Sequence, residues 1–114
     1  MLFPTTLYAE ESNSTFRSIQ YSRVLPHAFI DQAKESIPKM NPKYEILFEQ
    51  RSSILADAIY SLIVYKDDQS ADIVHIKGAV VKFPNAWLFS LICPKDKVIE
   101  KVVTTMEQIA SLKN

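Results

Sequence analysis

Residues 72–93 decide how this chain folds: Asp72-Ile-Val-His-Ile-Lys-Gly-Ala-Val-Val-Lys-Phe83, then Pro84-Asn85, then Ala86-Trp-Leu-Phe-Ser-Leu-Ile-Cys93. Two runs rich in β-branched and aromatic residues flank a tight-turn signal. The second run is apolar on adjacent positions as well as alternate ones, and a strand of that kind is covered on both faces. A connection this short joins antiparallel neighbours. The stretch therefore predicts the middle of an antiparallel sheet with a layer on each side.

The rest of the chain extends this reading. Residues 55–65 are apolar at nearly every position and form another doubly buried strand, separated from 72–83 by the polar loop Lys66-Asp67-Asp68-Gln69-Ser70. Tyr44, Ile46 and Phe48 alternate with Glu45, Leu47 and Glu49, which predicts a shorter strand with one row on each face. In residues 15–25, Ile19 and Tyr21 alternate with polar neighbours, as in a half-buried edge strand. Pro26 opens a helix, with Phe29, Ala33 and Ile37 on one face and Ile30 beside them. Pro38 is expected to end it, because proline pushes Ile37 out of helical geometry, and Asn41-Pro42 then turns the chain. The last element is an amphipathic helix. Val98, Val102, Met106 and Ile109 form one row, and Ile99, Val103 and Ala110 the next. Asp96 can cap its start. The fold class is α+β: an antiparallel sheet flanked by helices in α/β/α layers, closed by a long C-terminal helix. Residues 15–114 form a single domain behind a leader, residues 1–14.

Composition excludes several functions. Gly78 is the only glycine, where a chain of 114 residues would carry about eight. No Walker loop, dinucleotide fingerprint or glycine-rich phosphate cradle can be built from it. Within a strand, Gly78 admits an aromatic ring or marks a bulge. Lys and Arg number 13, as do Asp and Glu, so net charge is zero and no nucleic-acid partner is expected. No run approaches the roughly 18 apolar residues of a transmembrane helix. Met1-Leu-Phe-Pro-Thr-Thr-Leu-Tyr-Ala9 reads like the tail of a secretion signal, so a periplasmic or secreted location is favoured over the cytoplasm. Asn13-Ser14-Thr15 matches a glycosylation acceptor, but the pattern is short and common and reads instead as a polar turn before the first strand.

Cys93 is the one catalytic candidate. It lies between a strand end and a helix start, beside Lys95 and Lys97, where a thiol pKa is lowered. The other reading is a buried strand cysteine. A two-residue Pro84-Asn85 turn would pair Ile76 with Cys93 and Trp87 with Lys82, pointing His75 away from Cys93; a three-residue loop would reverse that. As the only cysteine, Cys93 excludes an intramolecular disulfide and a thiolate zinc cluster. His27 and His75 lack ligand spacing, so neither a metal nor a cofactor is expected. Glu10-Glu11 and Asp67-Asp68 read as solvated turns. Trp87, Leu88 and Ile92 are the binding candidates, on the strand most apolar on both faces.

Trp87-Leu-Phe-Ser-Leu-Ile-Cys-Pro-Lys-Asp-Lys-Val-Ile-Glu100, closing with Met106-Glu-Gln-Ile-Ala-Ser-Leu-Lys113, resembles the end of PsbP-like proteins. That superfamily holds the photosystem protein PsbP, the Ran-binding Mog proteins, the bacterial DcrB group and chaperones of type VI effectors. The resemblance covers residues 20–113. It implies an α/β/α layered sheet and a non-enzymatic binding role. It carries over no functional residue, because no site motif is matched and the family's P-x-x-W hairpin is missing here.

Three readings of function result. The first is a small non-enzymatic binding or adaptor protein with a protein partner, a second copy of the chain included. Its mark is an exposed apolar patch. The second is a thiol enzyme using Cys93. The third is a secretion chaperone, a class whose members are usually acidic while this chain is neutral.

Overall fold

In the computed structural model, residues 15–19 and 26–113 are described. The leader, the Asn13 acceptor and Tyr21 lie outside them. The elements are β1 (Thr15–Ile19), α1 (Pro26–Met40), β2 (Glu45–Leu55), β3 (Ala58–Lys66), β4 (Ile73–Lys82), β5 (Asn85–Pro94), a 3-10 turn (Lys95–Lys97) and α2 (Val98–Ser111). The strands form one antiparallel sheet in the order β1-β5-β4-β3-β2. The α+β class follows, with one helix on each face of the sheet.

Adjacent positions in β3 and β4 serve different layers, which is why these strands are apolar throughout. Leu62, Val64, Val74 and Ile76 join Phe89, Cys93 and Ile109 beneath α2. Ile63 and Tyr65 pack with Ile30 and Ile37 beneath α1. On α2 it is the row Val98, Val102, Met106 and Ile109 that faces the sheet, joined by the fully buried Thr105. The row Ile99, Val103 and Ala110 faces outward.

The structure differs from the sequence expectations at four places. First, the segment after Glu49 is strand. β2 runs on to Leu55, and Ala56-Asp57 makes the turn, with Ala56 in the left-handed region at φ 56°. Its polar second half, Gln50-Arg51-Ser52-Ser53, is explained by its place on the sheet edge. There Ser52, at φ 47°, forms a bulge whose N–H donates to the buried Ser61 hydroxyl at 2.7 Å. Second, Pro38 does not stop α1, which continues to Met40. So near the end, proline removes one helical hydrogen bond only, and the Asn41 N–H still reaches the Ile37 carbonyl at 2.8 Å. Third, Asp96 does not cap α2. The chain first tightens into the 3-10 turn, which puts Lys97 at the cap position with no side-chain cap bond.

Fourth, the β4–β5 turn is Phe83-Pro84, so Lys82 pairs with Asn85, Ile76 with Leu91 and Trp87 with Val80. This register is displaced by two residues from the expected one. A slip of two leaves every side chain on its own face, so alternation alone does not choose between the registers. Gly78 does: it sits opposite Phe89, and a Cβ there would collide with Phe89 Cζ and the Ser61 carbonyl oxygen. The one residue without a side chain lies where the Phe89 ring crosses the sheet.

Candidate functional site: an apolar groove between β2 and α2

A regular strand sends adjacent side chains to opposite faces. β2 breaks that rule at Leu47. Ile46 pairs with Tyr65 and Phe48 with Val64, so Leu47 is an extra residue with no partner across the ladder. The bulge splits the row expected from Tyr44, Ile46 and Phe48. Tyr44 and Ile46 pack under α1, whereas Phe48 turns to the α2 side. Leu47 and Phe48, neighbours in sequence, thus border the same hollow. α2 supplies the other wall with Val98, Ile99, Val102 and Val103, and Val64 contributes from β3.

The hollow measures about 310 Å3, and every residue lining it is apolar. Its rim stands open: Leu47 is 39% exposed, Phe48 47%, Val103 52% and Ile99 78%. These four side chains present on the order of 400 Å2 of apolar surface, the size of the largest patch on an ordinary monomer, which is often functional. The outer edge of β2 borders the groove and carries no neighbouring strand among the described residues. Its two bulges make that edge a poor template for indiscriminate strand pairing.

The far side of β2 is fixed by a polar row to α1. His27 Nδ1 lies 3.0 Å from Ser52 Oγ, Arg51 holds Asp31 with two bonds of 2.6 and 3.2 Å, and Lys34 meets Glu49 at 2.9 Å. The hydrogen bond from Arg51 holds the Asp31 carboxyl below its ordinary range. The His27 and Arg51 contacts are solvated and individually weak, while the Lys34–Glu49 pair is partly buried. Together they set the orientation of the edge strand that carries Leu47 and Phe48.

The binding candidates read from the sequence are not gathered at this groove. Trp87 is half-buried and packs against the core under α2, while Leu88 and Ile92, also half-buried, lie on the α1 side of β5. Cys93 is fully buried beneath α2, opposite Val74. His75 lies on the other face, 2.7 Å from Asp67 and stacked on Tyr65 at 5.0 Å between ring centroids. His27 is also on the α1 side. The sheet therefore separates the thiol from both imidazoles. Native Cys93 should react with iodoacetamide at least a hundredfold or so slower than the unfolded chain, since alkylation waits for local opening. Rapid alkylation of the native protein would return the thiol to consideration. Among the described residues no three His, Cys, Asp or Glu side chains gather as a metal site, and no helix is long and apolar enough to cross a membrane.

Sequence reasoning noticed the second apolar row of α2 but not the groove. The signal was Leu47-Phe48, two large apolar residues adjacent in a strand otherwise polar on one side. No protein-family model matches the chain, and no curated protein or solved structure is significantly similar to it.

Proposed function

We propose that this chain is a small non-enzymatic binding protein that acts through protein–protein contacts made at the β2–α2 groove. The observation that carries the reading is the open apolar rim of Leu47, Phe48, Ile99 and Val103 around a hollow with no polar side chain. Such a site offers nothing to orient a reacting group. It offers area to be removed from water.

The occupant is the same face of a second copy. The patch carries a ridge and a hollow side by side: Ile99 projects from α2, and the hollow lies next to it. A two-fold axis between the patches sets each ridge into the other hollow, which is the self-complementarity an isologous interface requires. A stable interface buries about 800 Å2 per partner, with a core more apolar than its rim. An apolar centre on the order of 400 Å2 supplies about half of that area, and the surface around the groove has to supply the rest. The likeness of residues 87–113 to PsbP-like proteins supports the same non-catalytic reading.

Sedimentation velocity at about 100 μM, a concentration far above the Kd of a specific interface, should give the mass of a dimer, and Ile99→Lys should give a folded monomer. A wild-type monomer that binds a different protein through Phe48 and Ile99 would overturn the second copy and keep the binding reading. A monomer whose Phe48 and Ile99 bind nothing would overturn both.

A further inference from the structure

The two bulges of β2 turn one short segment over. Between the pairs Ile46–Tyr65 and Ser53–Tyr60, β2 carries two more residues than β3, one at each bulge. The first extra residue inverts the alternation of side chains, and the second restores it. Outside the bulges the faces are those of a regular strand. Tyr44 and Ile46 pack under α1, while Leu55 packs with Tyr60 on the α2 side. Residues 48–51 are inverted. Phe48 faces α2, whereas Glu49 and Arg51 face α1.

The ion pairs Lys34–Glu49 and Asp31–Arg51 both tie this inverted segment to α1. In the regular alternation Glu49 and Arg51 would point to α2, and Phe48 would lie under α1 opposite Ile63. The pairs therefore require the inversion, and packing opposes it. Phe48 stays 47% exposed, and Glu49 Oε2 is buried with no hydrogen-bond partner among the described residues. Half of a phenylalanine side chain left in water stands against one solvated and one partly buried ion pair, and the opposing terms are of the same order. The bulges supply the slack for a change of register. The extra residue at Leu47 passes to the second bulge, and the flanking pairs Ile46–Tyr65 and Ser53–Tyr60 stay as they are.

We propose that residues 48–51 are a two-register device that opens and closes the binding face. With both ion pairs in place, Phe48 stands at the groove. With the pairs lost, the segment slips by one residue, Phe48 turns in beside Ile63, and the groove loses its largest side chain. Lys34 and Asp31 are thus positioning residues for a surface on the other side of the sheet. The functional part of this inference rests on the reading of the groove as the interface with a second copy; the register is a property of the single chain.

The test reads the β2–β3 register of the full chain by cross-strand NOEs, which report on one chain whatever its oligomeric state, and the dimer Kd by sedimentation velocity. The wild type should show Phe48 opposite Val64 and Glu49 opposite Ile63. In the double variant Asp31→Asn/Lys34→Gln, Phe48 should lie opposite Ile63 and Glu49 opposite Leu62, and the dimer Kd should rise at least about tenfold. Asp31 is exposed and Lys34 half-buried, so folding is retained. Lys34→Glu alone should shift the register in the same way, and adding Glu49→Lys should restore it. A residue that merely supports α1 would not move the register, nor be rescued by exchanging the two charges. Phe48 still opposite Val64 in both Asp31→Asn/Lys34→Gln and Lys34→Glu would overturn the proposal, as would a shift that Glu49→Lys fails to reverse. A wild type that is monomeric throughout would overturn the second copy and not the device, since the register is read within one chain.

Discussion

Gly78→Ala is expected to destabilise the protein by about 3 kcal/mol, the upper end of the usual cost of overpacking a core. For a domain near this size, that lowers Tm by about 15 °C. The reason is local. An added Cβ would overlap both the Phe89 ring and the Ser61 carbonyl oxygen. A flexible side-chain end could swing away, but an aromatic ring in a packed core and a ladder carbonyl cannot. The backbone itself is ordinary, since Gly78 does not use a positive φ. What matters is the close approach rather than conformational freedom. Gly78→Ala combined with Phe89→Leu should recover part of the loss, because the ring is relieved and the carbonyl is not. Thermal unfolding of the two variants measures this. A loss below about 1 kcal/mol for Gly78→Ala would mean that Phe89 does not cross the sheet at this point.

The second large effect belongs to α2. Ile109 is fully buried and lies under the helix in the main core cluster, so Ile109→Ala should cost about 3 kcal/mol, the transfer of the lost methyl groups plus the cavity left behind. Ile99→Ala, one face round on the same helix and 78% exposed in the single chain, should cost less than about 0.5 kcal/mol when unfolding is measured at a concentration where the chain is monomeric. Denaturant titrations of the two variants decide which row of α2 faces the sheet. If the order were reversed, the helix would be turned, and the groove lined by Ile99 and Val103 would not exist. The contrast also separates the two roles of the helix: one row holds it to the fold, and the other is free to hold a partner.

The chain itself announced its central strands. β3, β4 and β5 are too apolar to have a solvated face, their connections are too short for anything but antiparallel neighbours, and two amphipathic helices were there to cover them. Such patterns are local, and local periodicity survives whatever the rest of the chain does. β2 was legible only in its first half. Its second half reads as polar loop because an edge strand with a bulge need not alternate.

The candidate site was the least legible part. Leu47 and Phe48 were assigned to opposite faces, which a regular strand demands, and Trp87, Leu88 and Ile92 were favoured because hydrophobicity is densest there. Trp87 packs against the core beneath α2, Leu88 and Ile92 are half-buried on the other face of the sheet, and the apolar rim of the groove lies at the β2 edge. Cys93 carried every local sign of a reactive thiol, and only its burial under α2 and its separation from His75 show what those signs lack.

By itself, then, the sequence determined the class, the layers and which residues could be core, because burial follows from composition and period. The tertiary structure alone decided the β4–β5 register, the bulge at Leu47 and the outward row of α2. A two-residue slip conserves every face, a bulge is fixed by what packs on either side of it, and two equally apolar helix rows compete for one sheet. In each case the sequence permits both outcomes, and contacts between residues far apart along the chain select one.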